Sequence, residues 1–356
     1  MYDIAIIGQG PAGATLARLL GDGFSVLALD KKQPDGTGFR KPCGGLLALD
    51  AQKMLARFGL TLPRDVMVDP QIFSVRTIDV ATGRTRHYQR FYLNMDRHKF
   101  DLWLQGLIPR QVERRTGAQV MEIRRIQGGF HIEWLENGRR REAGARCVVG
   151  ADGANSIVRR RLFPHYKTRT YLAVQQWFQD THPSPFYSCI FDPAATDCYA
   201  WGLTKDSHFI FGGAFPLQTA KRDFERLKAK LSAHGFRLTD PVHTEACKVM
   251  RPAGWWETFP GDGDAYLLGE AAGFISPSSL EGISYAMESA EQLAEAINRH
   301  GIHCMPQYRR AAASIRLRLW MKNLKCPFMY WPPLRHLVMG SGLNSISVRT
   351  TPPKSE

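Results

Sequence analysis

Residues 2–30 limit what this chain can fold into more than any other stretch, because strand, glycine turn, helix, strand and acid follow one another without interruption. Tyr2-Asp3-Ile4-Ala5-Ile6-Ile7 is a short apolar run rich in β-branched residues, and Gly8-Gln9-Gly10-Pro11-Ala12-Gly13 follows it directly. In that setting Gly8 permits a tight bend, Gly10 lets the backbone approach a pyrophosphate with no Cβ in the way, and Gly13 lets a helix pack close to the strand. The spacing predicts a helix over Pro11–Leu20, stopped by Gly21 and Gly23, whose free N–H groups face the turn. Ser25–Leu29 reads as the second strand, and Asp30 follows at the position where a carboxylate binds ribose hydroxyls. This is a dinucleotide-binding turn in its full context, but nicotinamide and flavin nucleotides share it.

Two distant segments narrow the choice. Cys147-Val148-Val149-Gly150-Ala151-Asp152-Gly153-Ala154-Asn155-Ser156 is an apolar strand ending in glycine, an acid and small residues, with Arg159, Arg160 and Arg161 behind it. Ala265-Tyr266-Leu267-Leu268-Gly269-Glu270-Ala271-Ala272-Gly273 has the same form and continues through Pro277 and Glu281-Gly282-Ile283. Each delivers a carboxylate and bare backbone to the carboxyl end of a strand, where ligands of open α/β sheets sit. The second segment also opens a helix near Gly282, whose N-terminal N–H groups suit the electron-rich end of an isoalloxazine.

Together the glycine turn, the Gly-Ala-Asp-Gly segment and the Gly-Glu-Ala-Ala-Gly segment resemble the flavoprotein superfamily typified by para-hydroxybenzoate hydroxylase. Lys41-Pro42-Cys43-Gly44-Gly45 and the run from Gly273 to Ile283 are more similar to its geranylgeranyl reductase group, and the whole chain is similar to the bacterial CbrA-like branch. The resemblance implies non-covalent FAD. It implies Gly8, Gly10, Ala12 and Gly13 along the pyrophosphate, Asp30 and Lys31 at the adenosine ribose, and Arg97, Asp152 and Gly153 in contact with the cofactor. It also implies that Cys43, Gly44, Gly269, Glu270, Gly273, Pro277, Gly282 and Ile283 lie around the ribityl chain and flavin ring. Glu270 departs from the family pattern, which has Asp at this position.

The implied architecture is α/β: a Rossmann-type FAD-binding domain with an inserted antiparallel β-sheet substrate domain and a helical C-terminus. We expect the FAD-binding domain over 1–69, 93–165 and 260–300, the substrate domain over 70–92 and 166–259, and a C-terminal segment over 301–356. A length of 356 residues and a 44% hydrophobic fraction suffice for about two domains with ordinary cores. Short strand-like stretches such as Phe73–Val80 and His208–Gly213 support the inserted sheet, and residues 217–234 and 286–297 return to helical spacing. Thr350 to Glu356 reads as a loose tail.

Seven scattered cysteines without a Cys-x-x-Cys pair point to free thiols and give no support for a metal site. The start of the chain carries no secretory signal, and no run of about 20 apolar residues marks a membrane span, so a cytoplasmic location is expected. The net charge of +14 is not accompanied by a nucleic-acid-binding module. It is densest from Arg309 to Arg335, where Arg316, Arg318, Lys322 and Lys325 alternate with Leu317, Trp320, Phe328 and Trp331. That pattern fits a helical cap on the core with a solvated charged face, or peripheral contact with an anionic lipid surface on the inner face of the membrane.

Cys43, Tyr199 and Trp201 are the candidate catalytic residues. Cys43 lies in a loop that the family folds against the flavin, and its flanking glycines allow close approach. Tyr199, Trp201 and Leu203 alternate, so one face of a strand carries them as an apolar wall. Trp177, Phe178, Trp255 and Trp256 are further apolar candidates. The expected chemistry is reduction of carbon–carbon double bonds in a lipid-like or isoprenoid substrate, with NAD(P)H or a reductase partner as electron donor. Alternatives are a flavin monooxygenase or halogenase acting on an aromatic or other apolar molecule, and a membrane-docked flavin-bound binding or resistance protein.

Overall fold

The computed structural model describes residues 1–33, 35, 41–180 and 184–349; the tail expected at 350–356 lies outside the described residues. Two sheets organise the chain. The first runs in the order Gly261–Asp262, Ala265–Leu267, Arg139–Gly150, Tyr2–Ile7, Val26–Asp30, Glu113–Thr116. Tyr2–Ile7 pairs in parallel with Val26–Asp30 on one side and Arg139–Gly150 on the other, and both outer neighbours extend the parallel set. Val26–Asp30 is buried throughout, as a parallel strand covered on both faces requires. The hairpin Ala118–Ile126 and Gly129–Glu136 continues antiparallel from Arg139–Gly150. The helices Pro11–Leu19 and Ile283–His300 pack against one another beside this sheet.

The second sheet runs His243–Met250, Thr170–Gln179, His208–Pro216, Ala200–Lys205, Phe186–Phe191, Ile72–Asp79, Arg84–Asn94, Ser345–Ile346. It departs from the expected antiparallel arrangement at one place, where Phe186–Phe191 lies parallel to Ile72–Asp79. Between these two strands the chain passes through the first sheet, a crossover long enough to bring it back in the same direction. The helix Ala220–Leu231 covers this sheet, burying Phe224, Leu227 and Leu231 with Phe211 and Phe215.

The C-terminal segment spans both sheets. The helix Met305–Tyr330 buries Tyr308, Ala312, Ile315 and Leu319 in the first core, and the Tyr308 hydroxyl donates to the Leu267 carbonyl at 2.8 Å. Pro327 falls in its last turn, and Pro332 and Pro333 begin the helix Pro332–Ser341, where a missing N–H costs nothing. Ser345–Ile346 then pairs with the edge of the second sheet.

Candidate functional site

A cavity of about 980 Å³ is lined by residues of both sheets and of the C-terminal helices. At one end lies the glycine turn. Gly8 has φ +98°, and a Cβ there would stand 2.6 Å from the Ala151 carbonyl oxygen. Gly10, by contrast, faces open space: its Cβ would meet only Lys32 Nζ, at 4.0 Å. Gly10 caps the helix Pro11–Leu19 without any side-chain cap, so the first-turn N–H groups remain available to an anion. Asp30 lines this end and also ties the turn together, its Oδ2 accepting the Gln9 N–H at 2.5 Å and Oδ1 the Lys32 N–H at 2.8 Å. Across the turn, Asp152 Oδ2 accepts the Ile157 N–H at 2.6 Å, while its Oδ1 is buried without a partner among the described residues. Burial raises the pKa of that carboxyl. An open glycine, uncapped helical N–H groups and a buried unpaired carboxylate oxygen make a donor and acceptor set that fits a dinucleotide with its hydroxyls and phosphates.

The middle of the cavity is walled by the loop Lys41–Gly45. Lys41 Nζ donates to Glu270 Oε2 at 2.7 Å, and Glu270 Oε1 accepts the Met250 N–H at 2.9 Å. Burial disfavours the Lys41 ammonium, but the Glu270 carboxylate outweighs it and holds the pKa above the ordinary lysine value. The longer acid is thus committed to the loop and a strand end, in addition to facing the cavity. Arg97 Nε donates to Asp101 Oδ1 at 2.9 Å, and Asp101 also pairs with Lys32. Burial opposes the Arg97 charge, and the Asp101 carboxylate overcomes that opposition. The Cys43 sulfur accepts the Gly45 N–H at 3.4 Å. The helix Ile283–His300 opens at the cavity with Gly282 as its N-cap, and Glu281 Oε1 accepts the first-turn Ser284 N–H at 2.8 Å.

Beneath the Cys43 loop lies a group that sequence reasoning missed. Lys205 is 5% exposed, and its ammonium donates to Asn94 Oδ1 and Met95 O at 2.6 Å each and to Gly45 O at 3.3 Å. Gly45 has φ +61°, and a Cβ there would stand 2.7 Å from Lys205 Nζ. Burial pushes the Lys205 pKa down to about 8. Its signal was a lysine closing the buried strand Ala200–Lys205.

The remaining part of the cavity is aromatic. Tyr199 donates to the Ser279 carbonyl at 2.6 Å, Tyr187 donates to the Tyr199 hydroxyl at 3.4 Å, and Trp201 Nε1 donates to Gln175 Oε1 at 3.1 Å. Burial raises the pKa of both tyrosines well above the ordinary value, so these phenols stay neutral. Phe191, Phe328, Met329 and Val338 complete the wall.

Of the residues expected around a cofactor, Gly8, Gly10, Ala12, Asp30, Lys31, Cys43, Gly44, Arg97, Asp152, Gly153, Glu270, Gly282 and Ile283 line this cavity, as do Tyr199 and Trp201. Gly13, Gly269, Gly273 and Pro277 stand behind it. A Cβ at Gly13 would fall 1.8 Å from the Gly8 carbonyl oxygen, at Gly269 it would meet Ala286, and at Gly273 it would meet the Glu257 carbonyl at 2.5 Å. These glycines allow backbone to pack on backbone, while Pro277 offers its carbonyl to Arg251 Nε. Leu203 is buried with Tyr199 and Trp201 but sits below Gly44, out of the wall.

The other apolar candidates lie elsewhere. Phe178 belongs to the core under the helix Ala220–Leu231, Trp177 donates to Glu245, Trp255 lies under Arg316, and Trp256 is 73% exposed. Cys247 lines the cavity opposite Pro42, a placement with no motif to announce it. Arg159 went unassigned in the sequence; it bridges the two acid segments, donating to Ala154 O at 2.6 Å and Ala271 O at 3.0 Å.

Protein-family models give no match to this chain. It is 50% identical over 346 residues to protein CbrA of Escherichia coli O6:H1, covering 97% of this chain and 94% of that protein. Among solved structures, a geranylgeranyl bacteriochlorophyll reductase-like protein from Thermoplasma acidophilum matches with a TM-score of 0.76 and 19% identity, over 96% of this chain and 89% of that one. A mutant of the halogenase PltM, solved in complex with FAD, matches with a TM-score of 0.68 and 16% identity, over 90% of this chain and 75% of that one. These likenesses agree with the Rossmann-type α/β fold described above.

Proposed function

The chain belongs to the CbrA family, and on that footing we propose that it is an FAD-dependent oxidoreductase that reduces carbon–carbon double bonds in an apolar, lipid-like or isoprenoid substrate. The observation that carries this reading is the continuity of one cavity from the glycine turn to the aromatic chamber at Tyr187, Tyr199 and Trp201. In this reading residues 1–69, 93–165 and 260–300 serve the cofactor and 70–92 and 166–259 serve the substrate. Gly10 and the helix behind it would hold the pyrophosphate of FAD, Asp30 the adenosine ribose, and Arg97, Glu270 and the Cys43 loop the flavin half. Bound there, FAD supplies hydride transfer at N5, with reducing equivalents from NAD(P)H or a reductase partner. Tyr199 and Trp201 shape the wall and exclude water. Cys43 Sγ holds a proton within the cavity for the carbon that becomes saturated, and Lys41 and Lys205 fix the loop that carries it.

Access fits an apolar substrate. Phe328 and Val338 line the cavity yet are 52% and 40% exposed, so it opens beside the C-terminal helices. On the same C-terminal segment Trp320, Leu324, Trp331 and Leu337 are also exposed, as is Lys325, a composition suited to peripheral contact with anionic lipid. Among the described residues no helix is long and apolar enough to cross a membrane. The double variant Trp331→Ser/Leu337→Ser should stop flotation with anionic liposomes while the fold melts normally; unchanged flotation removes the membrane contact, and a change in oligomeric state instead assigns the face to self-association.

For the reaction, the flavin of the purified holoprotein is reduced without oxygen and polyprenyl diphosphates or lipids are added. Reoxidation with saturation of a double bond is the expected result. If no lipid reoxidises the flavin while oxygen uptake follows an aromatic substrate, monooxygenation replaces reduction, a second reading favoured by the same aromatic wall.

A further inference from the structure

Arg335, on the helix Pro332–Ser341, lines the cavity although the residue is only 3% exposed. Its Nε donates to Asp79 Oδ2 at 3.0 Å, and its Nη1 donates to Met329 O at 2.9 Å and Tyr330 O at 3.2 Å. The guanidinium also lies over the Phe191 ring, with Cζ 5.1 Å from the centroid. Nη2 is buried and meets no acceptor among the described residues. A guanidinium nitrogen that has lost water and gained no acceptor is costly to leave so, and the arginine that carries it lines the cavity together with the apolar side chains Phe191, Met329 and Val338. Asp79 is 1% exposed and already balances the arginine charge. A further anion brought to this pair would be buried without a counter-charge, whereas an uncharged oxygen would satisfy Nη2 and leave the balance intact.

We propose that Arg335 Nη2 is the polar anchor of the substrate, donating a hydrogen bond to an uncharged oxygen, a hydroxyl or carbonyl, on an otherwise apolar molecule. This rests on the reading of the chamber as an apolar substrate site and adds the class of functional group it selects. The substrate is then an amphipathic alcohol, ketone or ester rather than a bare hydrocarbon or a diphosphate, and its oxygen lies at the C-terminal helices while its chain runs along Tyr187 and Tyr199.

The test is titration calorimetry of the holoprotein with farnesol, farnesene and farnesyl diphosphate, which share one chain and differ at its end. Farnesol should bind about tenfold more tightly than farnesene, the gain from one acceptor satisfying a buried charged donor, and more tightly than the diphosphate. Arg335→Lys keeps a cation for Asp79 without the second guanidinium nitrogen, and should erase the advantage of farnesol while leaving farnesene unchanged. Equal binding of farnesol and farnesene to the wild type overturns the role of Arg335 and leaves the apolar site standing, even if the lysine variant fails to fold. Strongest binding of the diphosphate overturns the uncharged-oxygen assignment. Failure of all three probes to bind removes the apolar-substrate reading and this proposal with it.

Discussion

The two ends of the cavity are built on opposite plans. At the glycine turn the wall is backbone: Gly8, Gly10 and Gly153 present main chain, and the acids Asp30 and Asp152 hold that main chain with their own carboxylates. At the aromatic end the wall is side chain, drawn from strands near residues 75–92 and 187–201 and from the C-terminal helices. A site shaped by backbone tolerates little change at its few glycines but is indifferent to much of the rest. A site shaped by side chains can be retuned one residue at a time, which suits a fold that keeps a cofactor and changes its substrate.

The contrast predicts where substitutions hurt most. Gly8→Val forces a branched side chain onto φ +98° and into the Ala151 carbonyl, and should cost about 2–4 kcal/mol of stability together with loss of bound FAD; flavin absorbance per mole of purified protein that matches the wild type would break the comparison. Lys205 offers a test through pH. Its folded-state pKa is pushed from 10.5 down to about 8, so between those values the unfolded chain binds the extra proton and stability should rise with pH. The wild type should gain up to roughly 3 kcal/mol over Lys205→Met across that window, read as the difference between their thermal unfolding profiles from pH 8 to 10.5. A parallel pair of profiles contradicts the buried ammonium.

Lys41→Met leaves Glu270 without its cation and should weaken FAD retention by about 1–3 kcal/mol, measured by flavin release on dilution. Tyr199→Phe removes the hydrogen bond to the Ser279 carbonyl and the acceptor of the Tyr187 hydroxyl and should cost about 1–3 kcal/mol of stability with FAD content unaltered. Loss of flavin in that variant would show that the two ends are not separable.

The same difference explains what could be read in advance. A glycine turn, Asp152 and Glu270 are visible in a sequence because the demands on them are local: a tight bend, a close approach, an acid at a strand end. Arg335, Tyr187 and Cys247 reach the cavity, and Lys205 reaches the underside of the Cys43 loop, only because strands and helices distant in sequence pack together, and no spacing rule links Asp79 to Arg335. The parallel pairing of Phe186–Phe191 with Ile72–Asp79 was illegible for a like reason, since it depends on where a long crossover returns. The C-terminal segment was legible as helix and as basic, but its share in closing the cavity was not, because Phe328 and Val338 point there only once the prolines at 327, 332 and 333 have set the bend.

The most direct test is the mass of whatever occupies the cavity of the full chain purified from its own host under mild conditions. One FAD per chain is expected, together with a sub-stoichiometric apolar lipid bearing an oxygen. Recovery of a small aromatic acid beside FAD would contradict the reductase reading, and a preparation that carries no FAD would contradict the account as a whole.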